Sequence, residues 1–393
     1  MQTSYFQTFY RTVVNYGPGS RSLLPLMLKG LGGKRVVLFT DREVAQSGII
    51  NQIKEVFEGI PENTQIVGVF EDVEQEAYAE TVNRCADFFK AHKGDSLLAL
   101  GGTGVLDTVK AVKWMLHKDI QDIREVEKVR EQWPDAQSIS IPHVAVPTLA
   151  GTGAEITEVT MIINKGSGIK TTIYNTFINA DVAILDPELT MYLSSESTAF
   201  TGFTTLVNAI EAYFSPKANP MTDAYAQQAI RLIVDNISTA VHDGSNMEAK
   251  ANMQLASLMA KYAFIPAADA IPVHNMALAF CGKFGIKHML ANAVLLPNII
   301  ESLDTFYLTR IQGFAQALGI MNPSLDDKEC LNQVVAFVRK LRKEIALPET
   351  FIGIDANPDN MEDIVLFVHN EPTGVYFEIP PDVVTKITSQ VFD

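Results

Sequence analysis

Two glycine-rich turns in the first half of the chain have the composition of phosphate-binding loops. The first, Gly101–Gly104, joins an apolar run to a helix-like stretch, and the second spans Pro147–Gly153. Glycine lets the backbone approach a phosphate, and the start of a helix offers free N–H groups and the positive end of its dipole. An ordinary tight turn explains either segment taken alone, and the usual dinucleotide motif GxGxxG does not occur there.

An acidic residue, Asp41, directly follows the apolar run 36–40 and has two interpretations. As a helix N-cap it would accept a hydrogen bond from the first turn of the next helix. As a cofactor residue it would bind both ribose hydroxyls of an adenosine and repel a 2′-phosphate, which favours NAD over NADP. Two glycine-rich turns in the same half of the chain favour the second interpretation.

A parallel sheet is the element that would position these turns. Short apolar, β-branched runs alternate with helix-period stretches, and the runs lie at 36–40, 66–70, 96–100, 143–146 and 182–185. This alternation predicts βαβ crossovers and a mostly parallel sheet. From Pro187 onward, long 3.6-residue periodicity replaces the β-branched runs. We predict an α/β domain over residues 1–187 and an all-helical domain over residues 188–393, with the charged segment 119–134 as an exposed insertion.

Composition excludes several classes of function. The 393 residues include 31 Lys and Arg against 46 Asp and Glu, a formal net charge of −15. Such an acidic surface repels nucleic acid and anionic membranes. Three scattered cysteines form neither a disulfide framework nor a Cys-rich zinc site, and no apolar run reaches the ~18 residues of a membrane helix. We therefore expect a cytoplasmic protein without nucleic-acid or membrane partners.

Several segments together resemble the iron-containing, or group III, alcohol dehydrogenases. They are GGTGVLDTVKA (101–111), PTLAGTGAEITEVT (147–160), DVAILDPELT (181–190), TGFTTLVNAIEAYFS (201–215) and VHNMALAFCGKFGIKHMLANAVLLP (273–297). The resemblance runs from about Gly17 to Pro297. It implies a Rossmann-like N-terminal domain, a helical metal-binding domain, and a nicotinamide cofactor in the cleft between them. It also implies a homodimer or a larger homo-oligomer.

The resemblance assigns the NAD contacts position by position. They fall on Asp41 for the adenine ribose, on Gly102, Thr103 and Asp107 for the diphosphate, on Thr148, Leu149 and Thr152 for the diphosphate and nicotinamide end, and on Lys170 for the ribose hydroxyls. The glycine loop reads GGTG where the family usually has GGGS. Because these loop contacts come largely from the backbone, we expect NAD binding to survive the change.

The metal site departs further from the family pattern. The family holds a divalent ion with an Asp and a His four apart on one helix, and with two His fourteen apart further on. His274 and His288 keep the second pair, whereas Thr204 and Asn208 occupy the positions of the first. Neutral Thr and Asn oxygens do not offset the charge of a divalent ion, so we expect no tightly bound iron or zinc. If any ion binds, His274 and His288 are expected to hold it.

Without a metal, the predicted chemistry falls on His274, His288, Thr204 and Asn208. One histidine would take the hydroxyl proton as general base, and hydrogen bonds from the other polar groups would hold the developing oxyanion. A structural hydrogen bond explains either histidine taken alone. The leading prediction is an NAD(H)-dependent oxidoreductase that interconverts an alcohol and an aldehyde or ketone, with a polyol or sugar acid as substrate.

Four alternatives stay open at this level. The family includes bacterial enzymes that oxidise the 8-hydroxyl of 3-deoxy-octulosonate for amino-sugar (lipopolysaccharide) synthesis. A metal-dependent alcohol dehydrogenase would follow if the two histidines still hold an ion. A lyase resembling dehydroquinate synthase would need an intact metal site and several basic residues, which segment 201–297 supplies sparsely. The last alternative is a non-catalytic NAD-binding protein. Retention of both histidines and of the cofactor turns argues against it.

Overall fold

The computed structural model describes residues 6–8, 10–58, 64–151, 153–353 and 361–392. These residues form two compact units. The first contains the described residues within 10–149 and 153–192, and the second contains those within 6–8, 150–151 and 193–392. The first unit is α/β, and the second is helical. The predicted fold class, a parallel α/β half followed by an all-α half, is confirmed.

Nine strands form two sheets within the described part of the α/β unit. They are β1 (Val13–Tyr16), β2 (Arg35–Asp41), β3 (Gln65–Val73), β4 (Ser96–Gly101), β5 (Val129–Glu131), β6 (His143–Pro147), β7 (Val159–Ile163), β8 (Lys170–Asn175) and β9 (Val182–Leu185). The main sheet is parallel, in the order β1-β9-β6-β4-β2-β3. The five runs taken as strands in the sequence all lie in it.

The strand order reverses next to β2, and this reversal decides where a ligand fits. The chain leaves β2 for β3 on one side and then returns to β4 on the other. In open parallel sheets, ligands bind outside the carboxyl ends of the strands at such a point. Asp41 ends β2, and the first glycine turn starts at Gly101, where β4 ends, so the predicted ribose and diphosphate sites lie at this edge.

Helices cover both faces of the main sheet. They are α1 (Leu24–Gly30), α2 (Arg42–Gln46), α3 (Ile49–Glu58), α4 (Ala79–Ala91) and α5 (Thr103–His117). Side chains of a strand point alternately to opposite faces. Val37 and Phe39 accordingly pack in the core that contains α4 and α5, whereas Val36 and Leu38 pack in the core that contains α1 and α3. Because both faces of such a strand are buried, its sequence is a continuous apolar run.

The charged segment 119–134 is more integrated than predicted. Its strand β5 pairs in parallel with β8, which pairs antiparallel with β7, and Ile123 is only 2% exposed. Most residues of the segment are exposed, as expected, but the pairing of β5 and the burial of Ile123 anchor it to the rest of the α/β unit. Backbone pairing to a distant strand needs no apolar stripe, so the sequence pattern did not reveal it.

The helical unit contains the other ten α-helices of the described chain. They are α6 (Ser195–Phe214), α7 (Pro220–His242), α8 (Met247–Ala267), α9 (Pro272–Phe284), α10 (His288–Ser302), α11 (Asp304–Leu308), α12 (Ile311–Ala317), α13 (Asp327–Glu344), α14 (Met361–Asn370) and α15 (Pro381–Val391). Helix α6 packs against α7 and α8 and is buried on every side over most of its length. A helix buried all round is the centre of its unit, so its polar side chains need partners inside the protein.

Short 3-10 helices complete the secondary structure at Ser20–Leu23, Ile123–Glu125, Ala154–Ile156, Pro187–Thr190 and Pro372–Gly374. Within the described ranges, no single helix is long and apolar enough to cross a membrane. The pair α8 and α9, bent by 94°, passes that test together on length and composition alone.

Candidate functional site

Asp41 lies between a helix start and the first glycine turn. Its Oδ1 accepts a hydrogen bond from the backbone N of Val44 at 2.8 Å, so the N-cap interpretation is correct. Its Oδ2 lies 3.0 Å from the point where a Cβ on Gly101 would stand. Burial raises the pKa of Asp41, although the hydrogen bond from Val44 opposes this. One carboxylate oxygen therefore caps α2 while the other faces the turn at the end of β4.

The first glycine turn has the properties of an anion-binding loop. Helix α5 begins directly after Gly102, with no side-chain cap and no acidic residue in its first turn. A Cβ on Gly102 would approach Cδ1 of Leu149 to 2.7 Å, so glycine at this position lets Leu149 of the second turn pack directly against the first. Gly104 has a different role, because a Cβ there would lie 2.2 Å from the carbonyl oxygen of Gln75. The uncapped helix start and the open turn fit the diphosphate of a dinucleotide.

The second glycine turn meets the first at the same edge of the sheet. The backbone N of Thr148 donates to the carbonyl of Gly101 at 3.1 Å, and Thr148 Oγ1 lies 2.9 Å from the hydroxyl of Tyr192. Burial raises the pKa of Tyr192, and the charge of Asp41 adds to this rise. The structure thus brings Asp41, Gly102, Thr148 and Leu149 together. It adds Tyr192, which no motif in the sequence indicated.

The remaining predicted cofactor residues lie further along α5 and β8. Thr103 is the first residue of α5, and the carboxylate of Asp107 forms an ion pair with Lys110 at 2.7 Å. Lys170 is exposed at the start of β8. Burial raises the pKa of Glu76; the charge of Lys170 opposes this rise and the charge of Asp107 adds to it. Lys170 and Asp107 therefore both lie near Glu76, a carboxyl group for which no role was predicted. Thr152 lies outside the described residues.

In the helical unit, Thr204, Asn208 and Glu211 follow one face of α6, spaced by four and three residues. Thr204 and Asn208 are each only 3% exposed. Within the part of the chain that the structure describes, Thr204 Oγ1 and Asn208 Oδ1 have no hydrogen-bond partner. Leaving a buried polar atom unpaired costs about 1–3 kcal/mol. These two oxygens are therefore ready to bind a polar ligand or water.

The two predicted histidines lie next to each other. His274 is on the first turn of α9 and His288 is the first residue of α10, with ring centroids 5.3 Å apart. The ring centroids of Phe264, on α8, and of His274 are 5.1 Å apart. The carboxylate of Glu211 accepts a hydrogen bond from Nδ1 of His274. Glu211 lies within the family segment around residues 201–215, but no role was predicted for it.

The donor chemistry does not fit a tightly held divalent ion. Across the described ranges, no three His, Cys, Asp or Glu side chains are grouped in a way that could hold a metal. The α6 positions offer only the neutral side chains of Thr204 and Asn208, which leaves the imidazoles of His274 and His288 as the strongly donating groups of this set. Tight transition-metal sites use three or four charged or strongly donating ligands. The absence of tightly bound iron or zinc stays a prediction from this donor set.

Comparison with known proteins identifies both halves of the chain. The family described as "Iron-containing alcohol dehydrogenase" matches residues 12–187. The family described as "Fe-containing alcohol dehydrogenase family, C-terminal" matches residues 198–375. Together the two matches cover most of the chain.

Individual relatives extend over nearly the full length. The chain is 29% identical to long-chain-alcohol dehydrogenase 1 of Geobacillus thermodenitrificans (strain NG80-2), over 88% of this chain and 86% of that protein. It is 28% identical to the NAD-dependent methanol dehydrogenase of Bacillus methanolicus, over 94% of each. The crystal structure of a 1,3-propanediol oxidoreductase superposes with a TM-score of 0.89 and 26% identity, covering 99% of this chain and 100% of that one.

Proposed function

The chain belongs to the iron-containing alcohol dehydrogenase family and is an oxidoreductase acting on alcohols, and we propose that it works with NAD(H) and without a tightly bound metal ion. The observation that carries this proposal is the set of residues at the four family ligand positions, of which His274 and His288 hold two, with ring centroids 5.3 Å apart. The residues at the other two family ligand positions are the neutral Thr204 and Asn208.

The edge of the parallel sheet supports NAD as the cofactor. Asp41 faces the glycine turn, where its carboxylate would bind ribose hydroxyls and repel a 2′-phosphate. The uncapped start of α5 would hold the diphosphate. The Bacillus methanolicus relative is itself named as NAD-dependent. When bound, NAD supplies the acceptor for the hydride that leaves the carbinol carbon, and NADH returns it in the reverse direction.

The histidine pair supports proton transfer. Oxidation of an alcohol releases a hydride from carbon and a proton from the hydroxyl group. Because Nδ1 of His274 donates to Glu211, its Nε2 has the lone pair that accepts this proton. Such a general base contributes about 10²–10⁴ in rate. Hydrogen bonds from Thr204, Asn208 or His288 would hold the substrate oxygen as charge develops on it.

The buried oxygens on α6 support a substrate with more than one polar group. Thr204 Oγ1 and Asn208 Oδ1 lack partners among the described residues, and a hydroxyl-rich substrate would satisfy them. The names of the relatives range from long-chain alcohols to methanol, so they do not select one substrate class. We therefore propose a polyol or a sugar acid, on the basis of this chain's own residues.

A spectrophotometric survey tests the proposal. The purified protein is incubated with NAD and, in parallel, with NADP, against simple alkanols, polyols and sugar acids, and NADH or NADPH formation is followed by absorbance. We expect NADH to form with a polyol or sugar acid faster than with an alkanol of the same chain length. If none of the alcohols or carbonyl compounds tested changes the NADH absorbance, the proposal is contradicted. Preference for a simple alkanol would contradict only the substrate class.

A further inference from the structure

The carboxylate of Glu211 joins two helices at the proposed active site. One oxygen, Oε1, accepts hydrogen bonds from the backbone N atoms of Val273 at 2.7 Å and of His274 at 3.1 Å. The other, Oε2, accepts from Nδ1 of His274. The Glu211 side chain is 0% exposed and that of His274 is 11% exposed. Three donors therefore satisfy a fully buried carboxylate, which removes much of the cost of burying its charge.

Glu211 also acts as the cap that α9 does not contain. The residue before this helix, Ile271, provides no side-chain cap, and no acidic residue lies in the first turn. A negative charge at a helix N-terminus is stabilised by the backbone N–H groups and the helix dipole. The contact with the backbone of α9 fixes the carboxylate at the same point of the helix from which the His274 ring projects.

The hydrogen bond to Glu211 determines which nitrogen of the His274 ring carries the proton. An ionised carboxylate has no proton to donate, so the hydrogen bond to Glu211 requires a proton on Nδ1. In the neutral ring, Nε2 is then left with the lone pair. Tyr307 of α11 is a further titratable group near Glu211, and burial raises the pKa of Tyr307, with the Glu211 charge adding to the rise. A phenol at neutral pH stays uncharged and leaves the carboxylate as the acceptor.

We propose that Glu211 is a positioning residue for the alcohol oxidation, setting the tautomer and orientation of His274 so that Nε2 is the base. This inference rests on the proposed function of His274. Its chemical logic is that of a carboxylate that orients a catalytic imidazole and stabilises the imidazolium formed when the ring takes a proton. The residues at two of the family's metal-ligand positions are neutral here. The Glu211 carboxylate therefore supplies the negative charge that stabilises the His274 ring when it takes a proton.

The variant Glu211→Gln isolates this role because it keeps the size of the side chain. Its amide oxygen can keep both backbone hydrogen bonds from α9, since the opposite orientation would set the amide N–H group against two backbone donors. The amide N–H group then faces Nδ1 of His274, which must become the acceptor. The proton moves to Nε2, and the base is lost while the cap is retained. Glu158→Gln is the matched control, since Glu158 accepts a hydrogen bond from Tyr174 within the α/β unit.

Two readouts test the inference. In the first, ring ¹⁵N NMR of the unmodified protein is assigned with His274→Gln, and we expect protonated Nδ1 and unprotonated Nε2, reversed in Glu211→Gln. In the second, Glu211→Gln is expected to lower kcat about 100-fold or more, with little change in NAD affinity, while Glu158→Gln stays near the unmodified rate. The double variant Glu211→Gln/His274→Ala is expected to be no slower than His274→Ala, because the carboxylate acts through that ring.

The outcomes separate this inference from the proposed function. If His274→Ala is slow but a folded Glu211→Gln keeps near-normal kcat, the positioning role is wrong and the proposed function stands. If His274→Ala keeps its rate, the proposed base is wrong, and with it the positioning role. An unprotonated Nδ1 of His274 in the unmodified protein would overturn the inference without the Glu211→Gln variant, so the test holds even if Glu211→Gln does not fold.

Discussion

The carboxylate of Glu211 on α6 accepts a hydrogen bond from the imidazole Nδ1 of His274 on α9, 63 positions later in the chain. This contact links the helix that holds Thr204 and Asn208 to the helix that holds the proposed base. The proposed chemistry needs the His274 ring held in one orientation, with Nε2 free to take a proton. Here a side chain of the protein provides that constraint, and the proposed chemistry depends on it.

Removal of either imidazole should slow the reaction without weakening cofactor binding. His274→Ala or His288→Ala is expected to cut turnover by about 10²-fold or more, because the site then lacks the proton acceptor or the group that orients the substrate. Steady-state kinetics and NADH-binding titrations measure the two effects separately. A double variant lacking both imidazoles that kept near-normal turnover would mean that the proton leaves by another route.

Asp41 should determine the preference between NAD and NADP. Asp41→Gly removes the carboxylate that we propose lies beside the 2′ position of the adenosine ribose, and it is expected to relax discrimination against NADP. Because Asp41 also caps α2, Asp41→Asn is the better-matched variant, since Asn keeps the cap while removing the charge. Both variants should raise kcat/KM for NADP relative to NAD. Equal affinities for NAD and NADP in the unmodified protein would contradict the assignment of Asp41.

Restoring the family's ligand types should create a metal site. The double variant Thr204→Asp/Asn208→His places a carboxylate and an imidazole on the α6 face, at the positions the family uses together with His274 and His288. We expect it to retain about one equivalent of zinc after gel filtration, the occupancy of a single four-ligand site, by elemental analysis. Asn208→His alone is the control and should retain less. A folded double variant without zinc would remove Thr204 and Asn208 from the proposed site.

Stability should fall in mild acid because of a buried histidine outside the active site. His143 on β6 is 1% exposed, and both its ring nitrogens lack hydrogen-bond partners among the described residues. Burial, with Lys113 and Lys110 nearby, lowers the pKa of His143 well below its usual value. The unfolded chain then binds more protons below pH ~6.5, so the free energy of unfolding falls by up to ~1.4 kcal/mol per pH unit as the pH drops.

Thermal unfolding at pH ~7.5 and ~5.5 measures this effect. The fall in Tm between the two pH values should be smaller in His143→Leu than in the unmodified protein. His242→Gln, which changes an exposed histidine, is the control and should leave the fall unchanged. An equal fall in Tm for His143→Leu and the unmodified protein would mean that His143 is not the group responsible.

The fold class was predictable because it depends on periodicity along the chain. Continuous apolar runs such as 96–100 indicate strands buried on both faces, and the long 3.6-residue period after Pro187 indicates helices. The small sheet was not predictable in the same way. Strand β5 has only three residues and is held by pairing with β8, some forty positions later, which no local pattern records.

The candidate site was predictable only in part, for a similar reason. Spacing and family resemblance indicated His274, His288, Thr204 and Asn208, and for Asp41 they favoured ribose binding over a helix N-cap. The structure shows that Asp41 is a cap and also faces Gly101. The contacts of Glu211 with His274 and of Tyr192 with Thr148 join residues on different elements. These side chains meet only after tertiary packing, so the sequence assigned no role to Tyr192, or to Glu211 within the family segment 201–215.

The most direct test of the account is the relation between metal content and alcohol oxidation in one preparation. Iron and zinc in the protein as purified are measured by elemental analysis, the protein is then dialysed against EDTA, and NADH formation is followed before chelation, after chelation and after either metal is returned. We expect well under one equivalent of metal per chain in the purified protein and a rate that neither chelation nor metal addition changes. A stoichiometric transition metal bound by His274 and His288, with a rate that disappears on chelation and returns with the ion, would contradict it.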